Sequence, residues 1–277
     1  IGPVIVRNRI VFSAHLTNYA TQDGLPSEQH AAYYAARAAG GAGLIITEEH
    51  STHPTDWPYE KLIHGFNPAV IDGYRRITEA VHRHGTPIFA QINHNGGQAS
   101  SMFSRLPVWA PSAVPDPLFR EVPKAVSVDE IAEIVESYAQ VARHCREGEF
   151  DGIELQCSHS SIVRGFLSPA TNRRTDDYGG PLANRARILL EIVAAVRAAI
   201  EIVLAARPNQ RPAAVQRLRD RQRPLGMDVG DVNDSTCCCP QMRGNSLRQK
   251  QRRLEIATHQ IVPGGFINLP ERCRKKR

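Results

Sequence analysis

The chain has 277 residues, 42% of them hydrophobic, which is enough for one large barrel or two ordinary domains. Its formal charge of +6 is unevenly spread: residues 1–200 carry 18 Lys/Arg against 21 Asp/Glu, and residues 201–277 carry 16 against 7. The basic balance thus belongs to a tail poor in apolar residues, with Phe266 as its one aromatic; that composition reads as a solvated segment and argues against a nucleic-acid surface.

Strand and helix patterns alternate from the start. "RIVFSAH" (9–15) is a short β-branched run ending in small residues. Ser27 caps a helix with Ala31, Tyr34, Ala35 and Ala38 on one face, stopped by Gly40 and Gly41. "GLIITEE" (43–49) is a buried-type strand. Asn67 and Pro68 open a helix with Val70, Ile71, Tyr74, Ile77 and Val81 in helical spacing up to Gly85. "TPIFAQIN" (86–93) is the third strand, and a long proline-rich loop follows it. Ser127 and Glu130 make a capping box ahead of an apolar stripe of Ile131, Ile134, Val135, Tyr138, Val141 and Cys145. "FDGIELQC" (150–157) is the fourth strand. A helix over 183–200 presents Leu189, Val193, Val196 and Ile200.

This alternation implies parallel pairing through βαβ crossovers, an α/β fold. Four units in about 200 residues fit half of a (β/α)8 barrel, whose functional residues sit at the C-terminal strand ends. Those ends carry Ser13–His15, Glu48–His50, Gln91–His94 and Gln156–His159. "GGAG" (40–43) precedes its strand and ends a helix, so it reads as a cap and not as a phosphate loop. No run of about 18 apolar residues exists, so no membrane span is expected. The opening stretch carries charges and lacks a cleavage site, so no signal peptide is expected. Only Cys145 and Cys157 lie ahead of residue 201, a usage that suits free thiols in the cytoplasm.

Four passages carry a resemblance: "RNRIVFSAHLTNYATQDGLPSEQHAAYYAARAAGGAGLIITE", "IFAQINHNGG", "WAPSAV" and "FDGIELQCSHSSIVRGFLSPATNRRTDDYGGPLANRAR". In order and spacing they resemble the old yellow enzyme family of NADH:flavin oxidoreductases, in its 2,4-dienoyl-CoA-reductase-like branch. The resemblance implies a (β/α)8 barrel with FMN across the strand ends, NAD(P)H as electron donor, and an activated alkene as small-molecule substrate. The hydride chemistry is the cofactor's, and the protein positions and tunes it.

Residue by residue, the resemblance implies that Ser13, Ala14 and His15 line the flavin, small residues letting the ring approach the main chain. Glu49 falls at a flavin contact usually held by a small residue. There it either touches the flavin, opposing negative charge on the reduced ring, or caps the next turn while Glu48 is paired in the core. Gln91 matches the amide that reads the flavin's pyrimidine edge, with a donor and an acceptor together. His94 either faces the same pocket or buttresses its loop. Gln156 and His159 match the donors that stabilise charge on the substrate's oxygen, and are the expected catalytic residues. Ser161 stands where many members place a protonating tyrosine and is a poorer acid, while Cys157 reads as packing. "FLSPATNRRTDDYGG" reads as structural, with Arg173, Arg174 and Arg185 available to pair with Asp176 and Asp177.

From residue 201 onward the pattern stops. "EIVLAA" opens like a strand, but Arg- and Pro-rich sequence breaks it. The family's fifth-strand arginine and its phosphate site, made from barrel backbone and a helix N-terminus, are not legible; Arg207 and Arg217 sit in no strand pattern. Residues 201–277 therefore read as a basic tail foreign to the family, produced by a frame change in the coding sequence. "CCCP" (237–240) lacks the paired spacing of a zinc site, and no metal is expected. Two functions compete: an FMN-dependent reductase of the ene-reductase type, and a non-catalytic remnant that holds no FMN. Exposed strand edges of a half barrel predict self-association.

Overall fold

A computed structural model describes residues 4–206. In chain order its elements are β1 (Val11–Phe12), α1 (Glu28–Ala39), β2 (Leu44–Ser51), α2 (Val70–His82), β3 (Ile88–Asn93) and a 3-10 turn (Gly96–Gln98). There follow α3 (Ser101–Ser104), β4 (Trp109–Ala110), β5 (Lys124–Ala125), α4 (Val128–Glu147), β6 (Gly152–Leu155), α5 (Ile162–Leu167), α6 (Leu182–Arg185) and α7 (Arg187–Ala206). The four strands read from the sequence form one parallel sheet in the order β1-β2-β3-β6. Chain-neighbouring units are neighbours in space, the succession of a (β/α) barrel.

The helices form because their apolar residues recur on one side. Tyr34 of α1, Tyr74 and Ile77 of α2, and Ile131, Ile134 and Tyr138 of α4 are buried together against Ile45, Ile88, Ala90 and Ile92 of the strands. The other sheet face carries a smaller cluster, Leu44, Ile46 and Phe89, with Val4, Val6 and Ala14 packed on it. Alternate residues of a strand point to opposite faces. The two clusters therefore fix an outer, helix-covered face and an inner face, and they fix which polar residues share the inner one.

The ends of elements follow local chemistry. Gly40 closes α1 by donating to the Ala36 carbonyl at 3.0 Å, and Gly41 turns the chain with φ +99, a region open to glycine at no steric cost. The capping box of α4 is formed: Glu130 N–H donates to Ser127 Oγ at 3.2 Å, and Ser127 N–H to a Glu130 carboxylate oxygen at 2.8 Å. Asn67 caps the turn that leads into α2 and not the helix itself, which starts two residues later than the sequence implies. Its Oδ1 accepts from Ala69 N–H at 3.0 Å, and the helix proper begins at Val70.

Three expectations are corrected. The proline-rich loop is closed by a short parallel ladder, Trp109 opposite Lys124 and Ala110 opposite Ala125. The buried face of α7 is Ile188, Ile192, Val196 and Ala199, about one position off the predicted stripe, because packing on α4 selects the face; Leu189 and Ile200 flank it. "EIVLAA" continues α7 to Ala206 and starts no strand, as its Glu, Leu and Ala content favours. The fifth-strand arginine, the phosphate site, Arg207, Arg217 and "CCCP" lie outside the described residues. Among the described residues no helix is long and apolar enough to cross a membrane, and no group of three His, Cys, Asp or Glu could hold a metal.

Candidate active site at the inner strand ends

β2 carries an irregularity between Ile46 and Glu49. Ile46 stands opposite Phe89 and Glu49 opposite Gln91, so three steps on β2 match two on β3. This β-bulge decides which of two adjacent acids faces inward. Glu48 is fully buried toward α1, where its carboxylate accepts from His30 Nε2 at 2.5 Å, Thr17 Oγ1 at 2.6 Å and Thr17 N–H at 2.7 Å. Burial pushes its pKa up, but the bonds from His30 and Thr17 outweigh that and hold it below the ordinary value. Of the two roles read for it, Glu48 is the paired core acid.

Glu49 turns inward. Its register partner Gln91 is in turn opposite Glu154, so an acid, an amide and an acid cross the inner face in one row. Gln91 Nε2 donates to Glu154 Oε1 at 2.7 Å. Glu49 caps no turn; it accepts from Asn93 Nδ2 at 2.7 Å and Asn95 Nδ2 at 3.2 Å. Burial raises its pKa, the two amides and His159 oppose the rise, and Glu48 adds to it.

Of the remaining expected residues, Ala14 packs on the inner cluster while Ser13 is exposed. The His15 ring is turned to the Tyr33 hydroxyl of α1, with its Nδ1 3.4 Å from the Ser13 carbonyl, so only the main chain of this residue is free for the inner face. Gln156 continues the inward phase of Glu154. Its Oε1 accepts from Ser158 Oγ at 2.9 Å, and Ser158 Oγ lies 3.2 Å from His159 Nδ1, so Ser158 joins the two expected catalytic residues. The Gln156 amide nitrogen has no partner among the described residues, and His159 is exposed.

The other readings resolve as follows. His94 buttresses its loop: it is buried, its Nδ1 accepts from Gly96 N–H at 3.0 Å, and burial lowers its pKa to about 3. Ser161 is buried and its hydroxyl donates to the Gln156 carbonyl at 2.7 Å, which commits it to holding the loop. Burial raises the Cys157 thiol, as suits packing. Of the three arginines offered for Asp176 and Asp177, Arg174 alone pairs, with Asp176. Arg185 donates to the carbonyls of Leu167 and Gly180, and Arg173 is exposed. A cleft of about 490 Å³ lies beside the site, between Pro111–Leu118 and α5, with Gln98, Ser161 and Arg164 in its wall. Asn93, Asn95, Asp56, Tyr59 and Glu154 went unread in the sequence; the period-two phase from Gln91 and Gln156 points to Asn93 and Glu154 alone.

Polar residues gathered on the inner face at the C-terminal ends of parallel strands define the site of a (β/α)-barrel enzyme. The family model for NADH:flavin oxidoreductase / NADH oxidase matches residues 1–207, and the chain belongs to that family, an oxidoreductase family with the (β/α)8 barrel fold. It is 38% identical over 205 residues to the NADH oxidase of Thermoanaerobacter brockii, covering 72% of this chain and 31% of that protein. It is 35% identical over 203 residues to the N,N-dimethylglycine/sarcosine dehydrogenase of Chromohalobacter salexigens, covering 72% and 29%. The structure of the old yellow enzyme homologue from Zymomonas mobilis superposes with a TM-score of 0.66 at 32% identity, covering 70% of this chain and 57% of that one. The chain thus spans about a third of the length of those two relatives.

The family implies a flavin, and the inner face fits one edge of it. Gln91 is 8% exposed and faces inward; its Nε2 donates one hydrogen to Glu154, which leaves the second amide hydrogen as donor and Oε1 as acceptor.

Proposed function

We propose that the chain acts as an FMN-dependent NAD(P)H oxidoreductase of the ene-reductase type on a small activated alkene. The observation that carries this reading is the inner row of Glu49, Gln91 and Glu154, with Gln156 and His159 joined through Ser158 at its rim. Bound FMN would supply hydride exchange between NADH or NADPH and the electron-poor carbon. Gln91 would read the pyrimidine edge, and the main chain of Ser13, Ala14 and His15 would line the ring. Burial raises the proton affinity of Glu49, which would ease the charge conflict that an ionised glutamate creates beside the ring. The free amide nitrogen of Gln156 and the exposed ring of His159 would hold the substrate's oxygen and stabilise its developing charge. Ser161 keeps its proton on the Gln156 carbonyl and delivers none to substrate.

We assign the family part to residues 1–200 and the basic tail of 201–277 to a frame change, on the shift in charge and composition between them. Reading the other frames of the gene from codon 201 should recover a fifth strand with its arginine; its absence from both counts against this. The free thiols Cys145 and Cys157 support a cytoplasmic setting. The decisive experiment is the absorbance of the purified chain after desalting. A flavin spectrum that bleaches with NADH or NADPH is expected. A colourless protein that takes up no added FMN would favour the non-catalytic remnant instead.

A further inference from the structure

The cleft between Pro111–Leu118 and α5 is lined by none of Glu49, Gln91, Glu154, Gln156 or His159. Its volume of about 490 Å³ is that of a small-molecule site. Pro111, Val114, Pro115, Leu118 and Ala170 give it apolar walls. Leu118 is 80% exposed, so an apolar body seated against it takes hydrocarbon surface out of water.

The charged groups in the wall are Asp116 and Arg164, with Gln98 between them. Asp116 is engaged: its Oδ2 accepts from Gln98 Nε2 at 2.9 Å and its Oδ1 from Leu118 N–H at 2.9 Å. Gln98 Oε1 accepts from Ser160 N–H at 2.7 Å. Arg164 Nη1 reaches that same oxygen at 3.4 Å, near the limit of a hydrogen bond. Wall hydroxyls are committed too, Ser161 to the Gln156 carbonyl at 2.7 Å and Thr171 to the Gly165 carbonyl at 2.8 Å. Arg164 is exposed and forms no ion pair among the described residues. Most donors of its guanidinium are therefore free, at the edge of an apolar space.

We propose that this cleft binds a small organic acid as its carboxylate, with Arg164 holding the two oxygens and the proline, valine and leucine walls holding the apolar body. A planar carboxylate matches the planar donor fork of a guanidinium. One guanidinium with the Asp116 carboxylate in the same wall suits a single negative charge and disfavours a phosphate dianion. The ligand lies outside the row of Glu49, Gln91 and Glu154, and its binding is read without turnover. Failure here is therefore separate from failure of the reductase reading.

The test is calorimetric titration of the full chain, as purified, with sodium cyclohexanecarboxylate at pH 7 and constant ionic strength. Saturable binding is expected. Cyclohexanecarboxamide, which lacks the charge, and acetate, which lacks the apolar body, should each bind about tenfold or more weakly. Arg164→Gln should weaken the carboxylate about tenfold or more by loss of the charge-assisted bonds. Ala170→Phe fills the cleft and leaves the guanidinium in place; it should weaken binding likewise, and it carries the test if the glutamine variant does not fold. Absence of saturable binding, equal binding of the carboxamide or of acetate, or unchanged affinity in either folded variant would overturn the proposal.

Discussion

Burial raises the proton affinity of Glu48 and Glu49 alike, and only for Glu48 do bonds from His30 and Thr17 reverse the effect. The two acids therefore give stability opposite dependences on pH. Glu48 has its folded pKa below the unfolded value. Its contribution is complete above the unfolded value, about 4.3, and is lost as pH falls through the folded one. Glu48→Gln removes one partner of a buried pair and leaves Thr17 donors facing an amide; a loss of about 3 kcal/mol at pH 7 is expected in urea denaturation, shrinking as the medium is acidified. Glu49 has its folded pKa above the unfolded value. Its contribution is complete at low pH and is lost as pH rises through the folded value. Glu49→Gln is thus expected to exceed the wild type in urea midpoint at pH 8, with the gap closing toward pH 3. A lower midpoint for the variant at pH 8 would contradict the burial argument. At this scale Gln91 and Gln156 were legible because each ends an apolar strand run. Asp56 and Asn95 were not: they lie 39 residues apart in loops with no periodicity, and only the fold brings them together.

Elements here are held at points that sequence patterning marks unevenly. Gly96 has φ +62, and a Cβ on it would stand 2.8 Å from the Ile162 Cα at the start of α5. The same junction carries the 2.7 Å bond from Ile162 N–H to the His94 carbonyl. Gly96→Ala adds a left-handed penalty to a clash with main chain, so a loss of about 2 kcal/mol or more is expected by thermal or urea unfolding. Faster amide exchange in α5 should accompany it. By contrast, Ser127→Ala removes one cap of α4 and should cost about 1 kcal/mol. The capping box and the stripes of α1, α2 and α4 were legible since spacing alone defines them. The β4–β5 ladder was not, because two-residue strands have no period to detect. The face of α7 was misread by about one position because nearly every residue there is apolar or alanine, and contact with α4 makes the choice.

For the molecule as a whole, the sheet among the described residues begins at β1 and ends at β6, and all four β6 residues are only half-buried. Ile5, Ile10 and Val11 are exposed at 60%, 65% and 47% near the β1 edge. An apolar edge with open backbone groups favours pairing with another chain. Self-association that rises with concentration is expected in light scattering, and Val11→Lys should reduce it; a monomer at every concentration would count against the edge argument. The α/β class and the four-unit order were legible from alternation, since βαβ connectivity leaves few topologies open. The charge contrast at residue 201 was equally plain, although α7 crosses it by six residues to Ala206, where helix propensity outlasts the change in composition.

The three-for-two step in β2 has one more consequence. Were Ile46, Thr47, Glu48 and Glu49 to alternate strictly, with no residue bulged out, the two acids would emerge on exchanged sides. The partner-bound carboxylate would then open onto the interior, and its uncompensated neighbour would be driven against His30 and Thr17. One extra residue in the ladder thus keeps a structural anion and a chemically available one from trading places.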